Sequence, residues 1–521
     1  MTTTAEPGAA STSAAMSRRE VLQALSGLMM GIFVSILAAT VVSNALPTII
    51  SDLGGSQSIY TWVVTAELLA MTVTVPLWGK LADLVSQKLL VQLSLGLFVA
   101  GSLLAGFSQD TTTLIIARVI QGAGAGGLTA LVQIVMAAMI PPRELGRYAG
   151  IFGAVFAVAT VAGPLIGGVI VDTAWLGWRW CFFMGVPFAL AAIVLLQKTL
   201  KLKSVRRREV QVDWLGALLI TAGISLLLIW VTLAGNDFAW LSGTTALMVG
   251  GALVLLALAV LVESKVSEPI IPLDIFRNRT VTLTVVASAL VGIAMFGGTV
   301  FLSQYFQISR GYSPTAAGLL SLPMIGGLLV SSTVAGALIT KTGLWKRYLV
   351  AGAALMTVGF GLLATIGADT SMWLIGLYMA VMGVGVGMLM QNLVLAAQND
   401  VPARQLGSAT SVLSFFRSLG GTIGVSVLGA VLASRVASEL SVLGGSSSGE
   451  GAAVPDVATL PPEVQTVVQN AYGDATAELF LIATPLAALA LLVVLFVKEK
   501  PLQTTSGAER LESEAQLPLA H

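Results

Sequence analysis

Gly122-Ala123-Gly124-Ala125-Gly126, followed downstream by Pro141-Pro142-Arg143-Glu144-Leu145-Gly146, decides the fold, because its marker residues return 261 positions later. Gly383, Gly385 and Gly387 repeat the glycines, and Pro402, Arg404, Leu406 and Gly407 repeat the second cluster at the same offset. Seven matches at one offset in so apolar a chain mark two related halves. Paired membrane halves are a common build for secondary transporters, whose substrate site lies at the interface between them. A carrier is the expected class.

Composition points the same way. Of 521 residues, 56% are hydrophobic and 10% charged, with mean hydropathy +0.90; a soluble globular chain carries about 25% charged residues. The single cysteine, Cys181, excludes an internal disulfide and a CxxC redox site. The single histidine, His521, is the last residue, which removes most His-based metal and catalytic schemes. No GxxxxGK[ST] stretch is present for ATP-driven pumping by this chain. No cofactor and no nucleic-acid partner are expected.

The apolar runs divide into fourteen spans at about 22–47, 59–79, 89–107, 112–139, 147–171, 180–197, 213–234, 243–262, 280–303, 313–340, 347–366, 371–398, 406–433 and 476–497. Each is near or above the ~20 residues with which a helix crosses a bilayer. Residues 1–20 are polar and read as a disordered cytoplasmic segment. Span 1 lacks a cleavage site and reads as an anchor rather than a removed signal.

Lys and Arg set the orientation. With the N-terminus inside, every one of the 27 falls in a cytoplasmic segment except Arg118, Arg179, Arg310, Arg417 and Arg435. Both termini are therefore expected in the cytoplasm, with residues 498–521 as a tail. The acidic, Gly/Ser/Pro-rich stretch 436–475 reads as an exposed outer loop. The repeat falls in spans 4 and 12, so spans 7 and 8 are an inserted pair. The expected architecture is an all-α membrane protein of two six-helix bundles, 21–200 and 266–497, separated by an insert at 201–265 that reads as a structural or lipid-facing hairpin.

Several stretches carry a family resemblance. Gly79-Lys80-Leu81-Ala82-Asp83, with Lys88, resembles the G-x-L-A-D-R-x-G-R-K signature of the major facilitator superfamily, departing from it at Leu84, Ser86 and Gln87. Arg118-Val119-Ile120-Gln121-Gly122 resembles its R-x-x-Q-G motif, and Gly153 with Gly163-Pro164-Leu165-Ile166-Gly167-Gly168 resembles its antiporter motif. Together they look like the fourteen-helix drug:proton antiporters over residues 20–500. The resemblance implies the major facilitator fold, proton-coupled export of amphipathic drugs or metabolites by alternating access, a bacterial inner-membrane location and a monomer. One departure stands out. Relatives usually carry Asp in span 1 within L-D-x-T-x-V-x-x-A-L-P, where this chain has Ala38.

The residues also have a physical reading of their own. Gly79 permits a tight turn in the loop 79–88, and Asp83, near a helix terminus, can interact with backbone N–H groups and basic neighbours on another helix as a gate latch, or be a solvated turn residue. Pro164 removes a helix hydrogen bond, and the Gly122/Gly126 and Gly163/Gly167 spacings allow close helix approach. Span 2 enters from outside near Tyr60 and span 4 near Thr112, so Glu67 and Arg118 both lie about 10 Å deep in the outer half. Ionisable groups at that depth mark proton or substrate paths by default. Glu67 is either a proton carrier released from Arg118 or from a cationic substrate, or half of a permanent packing pair.

Candidates for the substrate cavity are Asn44, Trp62, Gln121, Gln133, Gln304, Tyr305, Gln307, Gln391, Asn392, Phe416 and Arg417, with Met379, Met382, Met388 and Met390 as adaptable apolar surface. Two other readings stay open: an exporter of one native lipid or antibiotic, and an intramembrane enzyme or channel. The latter has no HExxH, GxSxG or filter stretch behind it.

Overall fold

The computed structural model describes residues 18–54, 57–173, 175–202, 213–235, 238–440 and 462–516. The stretch 1–20 expected to be disordered and the outer loop expected at 436–475 thus fall largely outside the described residues, at 1–17 and 441–461. The N-terminal half holds α1 (Arg18–Asp52), α2 (Gln57–Leu84), α3 (Gln87–Gly106), α4 (Thr111–Met139), α5 (Pro142–Asp172), α6 (Trp180–Phe183) and α7 (Gly185–Thr199). Then come α8 (Trp214–Leu233) and α9 (Gly243–Glu263). The C-terminal half holds α10 (Arg279–Gln304), α11 (Pro314–Leu320), α12 (Leu322–Thr342), α13 (Lys346–Leu363), α14 (Met372–Asp400), α15 (Leu406–Leu440) and α16 (Pro462–Leu495), followed by a short α17 (Gly507–Gln516). Fourteen of these segments are long and apolar enough to cross a membrane.

Helix starts follow local chemistry. Asp110, Asp213 and Asn278 each accept a backbone N–H within the following three residues, supplying orphan donors of the first turn. The tenth span breaks at Ser321 because Pro323, near the start of α12, has no N–H to continue the ladder. The duplication is visible in the bounds: α4 shifted by 261 residues is α14.

Three sequence expectations need correction. Gly79 and Asp83 lie within α2, not in a loop, and the turn is only Val85-Ser86. Gly79 is required for close approach instead: a β-carbon there would overlap Ser411 and meet the Gly407 carbonyl of α15. The last span starts fourteen residues early, at Pro462 rather than 476, because 462–475 is a polar helical extension that hydropathy does not register. The tail, for which the sequence analysis made no structural assignment, carries α17.

Packing sorts the helices. In the first half α4 lies against α2 and α3, with α1 against α5 and α7; in the second, α14 lies against α12 and α13, with α10 against α15 and α16. Glycines set the crossings, as expected where lipid removes the hydrophobic drive for association. A β-carbon on Gly122 would meet the Glu67 carbonyl, and one on Gly126 the Met71 carbonyl. The halves join along two seams, α5 with α12 and α2 with α15. α8 packs on α9 and α2, while Leu247, Leu253, Val254 and Leu261 of α9 remain exposed.

Candidate functional site

The two seams place a cavity of about 610 Å³ between the halves. The first half contributes α1 and α5 through Thr40, Ser43, Phe156 and Thr160; the second contributes α10, α11, α12 and α14, with Phe296, Gln304, Met324 and Met382 among the lining residues. It lies toward the end of the bundle where α1 finishes at Asp52. The opposite end is closed.

Asp83 provides much of that closure. Its carboxylate accepts the Gly407 N–H at 2.8 Å, the Ser408 N–H at 2.8 Å and the Ser408 hydroxyl at 2.7 Å. A carboxylate on the last turn of α2 thus caps the start of α15, where unsatisfied N–H groups and the helix dipole favour negative charge. The related seam is closed by packing, since a β-carbon on Gly336 would overlap the Gly146 carbonyl. Lys80, buried beside Asp83 in sequence, pairs with Glu268 at 2.7 Å and ties α2 to the segment after α9. Lys88 does not join this group; its ammonium caps α7 at the Gln197 carbonyl, 2.6 Å away.

The chain after α16 strengthens the same end. Gln503 accepts the Arg143 N–H at 3.2 Å through its carbonyl and donates through its side chain to the Asn399 carbonyl at 3.1 Å. Arg510 donates to the carbonyls of Gln398 and Val401, and Glu514 accepts the Ala403 N–H at 3.1 Å. A strap therefore runs beneath both halves.

Inside the first half, Arg118 and Glu67 form a buried ion pair, 2% and 6% exposed. Arg118 also donates to Gln121 at 2.7 Å, and Gln121 donates to Ser102 at 2.8 Å, so α2, α4 and α3 share one polar network. The Nε atom of Arg118 has no partner among the described residues.

The remaining candidates separate cleanly. Gln304 and Gln307 line the cavity. Gln121 belongs to the Arg118 network, Tyr305 is fully buried and donates to the Gly367 carbonyl at 2.8 Å, and Asn392 donates to the Met388 carbonyl at 2.6 Å. Trp62, Gln133, Gln391, Phe416 and Arg417 are not among the lining residues, nor is Met379, which is buried. The side chains of Asn44 and Pro164 lie outside what is described. Of the antiporter stretch, Gly153 faces Ser332 of α12 and Gly163 faces Thr40 of α1, while Gly167 is buried and Gly168 half-buried. The cavity hydroxyls of Thr40, Ser43, Thr160 and Ser321 escaped sequence reading because small polar residues in apolar spans look like ordinary packing; their one signal is that they sit on the helices flanking the seams.

Comparison with known proteins fits this geometry. The Major Facilitator Superfamily model matches residues 28–425. The multidrug transporter protein MdtP of Bacillus subtilis is 36% identical over 419 residues, covering 80% of this chain and 76% of that one. Multidrug resistance protein 3 of the same organism is 30% identical over 500 residues, covering 92% and 96%. The proton:xylose symporter XylE superposes with a TM-score of 0.63 at 15% identity, over 95% of this chain and 100% of that one, a likeness of fold alone.

Proposed function

The chain belongs to the major facilitator superfamily, and on that footing we propose that it is a proton-coupled exporter of amphipathic drugs or metabolites. It is a multi-pass membrane transporter and not an enzyme. The observation that carries the proposal is the asymmetry between the two ends: an apolar, drug-sized cavity opens between the halves on one side, while Asp83 and the strap close the other.

The excess of Lys and Arg at the Asp83 end makes that end cytoplasmic in a cell membrane. The conformation is then outward-facing, poised to release cargo and take up a proton. Rocking of the halves about the α2–α15 and α5–α12 seams would break the Asp83 cap and expose the cavity inside. Glu67 is the proton carrier in this reading: it takes a proton outside, leaves Arg118, and gives the proton up inside. One proton moving down 100 mV supplies about 2.3 kcal/mol, to which a pH gradient adds.

Purified protein in liposomes with an imposed pH gradient tests this. Accumulation of substrate against its own gradient, abolished by a protonophore, is expected; flux indifferent to the pH gradient contradicts it. Movement confined to one lipid or antibiotic would make the transporter a specific exporter.

A further inference from the structure

The inserted hairpin ends in a buried pair of carboxylates that the exporter reading does not use. Asp213 precedes α8 and Glu263 closes α9, and they are 8% and 5% exposed. Glu263 holds a turn: its Oε1 accepts the Ile270 N–H at 3.1 Å and its Oε2 the Ile271 N–H at 3.0 Å. Asp213 caps α8 through Oδ1, which accepts the Gly216 N–H at 2.8 Å. Its Oδ2 is buried and has no hydrogen-bond partner among the described residues.

Gly216 reveals what that oxygen faces. A β-carbon there would stand 2.2 Å from Oδ2 of Asp213 and 2.6 Å from Oε1 of Glu263, so the two oxygens are at most 4.8 Å apart. The cation facing them from α2 is Lys80, whose ammonium is bonded to Glu268 at 2.7 Å. Asp83, one turn further along α2, is held by the start of α15. Among the described residues, three carboxylates (Asp213, Glu263 and Glu268) therefore share one ammonium at the foot of the hairpin. Two buried carboxylates this close do not both stay ionised, because desolvation and mutual repulsion drive one of them to take a proton. The proton also supplies the missing donor: Oε1 of Glu263 keeps a second lone pair beside the Ile270 N–H, and an O–H on Asp213 can fill it. The described residues here do not make a set that could hold a metal ion, so a proton is the cation that fits.

The pair connects to the gate through a short chain of contacts. Glu263 fixes the turn that leads to Ile271, Glu268 stands on that turn, and Glu268 holds Lys80 three residues before Asp83. We propose that Asp213 and Glu263 share one proton, and that this proton makes the hairpin a pH-sensitive clasp on α2 at the end facing the cytoplasm. With the proton in place the turn and the Lys80–Glu268 bond hold. Its loss at alkaline pH leaves two like charges side by side and loosens both. The clasp goes beyond the exporter reading and assumes nothing about cargo or about Glu67.

The sign of the pH dependence follows. The folded protein keeps a proton that the unfolded chain, whose carboxylates titrate near ~4, has already lost, so stability falls as pH rises above that range. Asp213→Asn mimics the protonated pair at every pH, since its amide keeps an acceptor for Gly216 and presents N–H to Glu263. Purified full-length protein in lipid nanodiscs is the material for three measurements.

Infrared titration of the wild type is expected to show the C=O stretch of a protonated carboxyl at neutral pH. That band persists in Glu67→Gln and Asp83→Asn and is absent in Asp213→Asn. In thermal melts Asp213→Asn is expected to match the wild type at acid pH and to exceed it by a few degrees at alkaline pH. Maleimide labelling of Ser414→Cys, buried in α15, should be several-fold slower with Asp213→Asn than without it at alkaline pH, and equal at acid pH. Comparing the two proteins at one pH cancels the ionisation of the thiol itself. A variant less stable than the wild type at every pH would mean that Asp213 is ionised and held by a cation, and would overturn the shared proton. So would a wild type with no such band, a result that stands even if the variant fails to fold. Equal labelling at alkaline pH would overturn the clasp on α2.

Discussion

Asp83 accepts both the backbone N–H and the hydroxyl of Ser408, at 2.8 and 2.7 Å, so one carboxylate of the N-terminal half holds the first turn of a helix in the other half. The repeat makes the asymmetry of this contact plain. Gly79 approaches Gly407 on one seam as Gly336 approaches Gly146 on the other. One turn beyond Gly336 the chain carries Thr340, whose hydroxyl bonds back to its own helix at the Gly336 carbonyl, 2.9 Å away. Among the described residues, only the α2–α15 seam has a charged latch.

Neutralising that latch should open the sealed end. Hydrogen bonds to a charged group are worth about 1.5–3 kcal/mol net, so Asp83→Asn is expected to shift the closed-to-open balance by roughly ten- to a hundredfold. A cysteine at Ser414, whose buried hydroxyl has no partner among the described residues, reports the opening by maleimide labelling. The native Cys181 is buried and gives little background. Labelling at least tenfold faster in Asp83→Asn is the predicted outcome; identical rates would remove Asp83 from gating.

Gly79→Ala should separate stability from transport. Alanine is favoured over glycine within a helix by about 0.5–1 kcal/mol, but here its β-carbon would overlap Ser411 when the seam closes. Transport is predicted to fall more than tenfold while thermal stability in detergent holds or rises. Transport at the wild-type rate would mean that the seam does not need this approach.

Deleting residues 503–521 tests the strap. It removes the Gln503–Arg143 and Arg510–Val401 contacts yet keeps Glu499, which accepts the Trp345 N–H at 2.8 Å. Several-fold faster labelling of Ser414→Cys is expected, with expression unchanged. No change would reduce α17 to a passive appendage.

The buried pair makes a stability prediction. Removing one member of a buried ion pair costs about 3–5 kcal/mol, because the other charge is left without compensation. Arg118→Leu alone should therefore lower the melting temperature, and Glu67→Gln on the same background should recover most of the loss. Additive losses in the double variant would show that the two side chains are not energetically coupled.

Much of the fold was legible because bilayer and backbone chemistry write it directly: long apolar runs, capping residues and a repeat that maps α4 onto α14. The Asp83 latch was legible as a type of contact, yet its partner was not, since Gly407 and Ser408 lie more than three hundred residues away in the chain. The cavity was least legible. Gln121 and Gln304 are alike in sequence, but Gln121 is consumed by Arg118 and Ser102 while Gln304 lines the cavity. Only three-dimensional partners tell those cases apart. The tail helix was missed because Gly507–Gln516 is short and polar, and its order comes from contacts with distant carbonyls.

The central claim is that Glu67 couples proton movement to cargo, and Glu67→Gln tests it most directly. Both proteins would be placed in liposomes and assayed twice: for accumulation driven by an imposed pH gradient, and for exchange at equal pH. The account predicts that Glu67→Gln keeps exchange and loses gradient-driven accumulation, because the carrier still moves between its states but no longer carries the proton. Accumulation at the wild-type level by Glu67→Gln would contradict it, and would leave the Glu67–Arg118 pair as a fastener between α2 and α4.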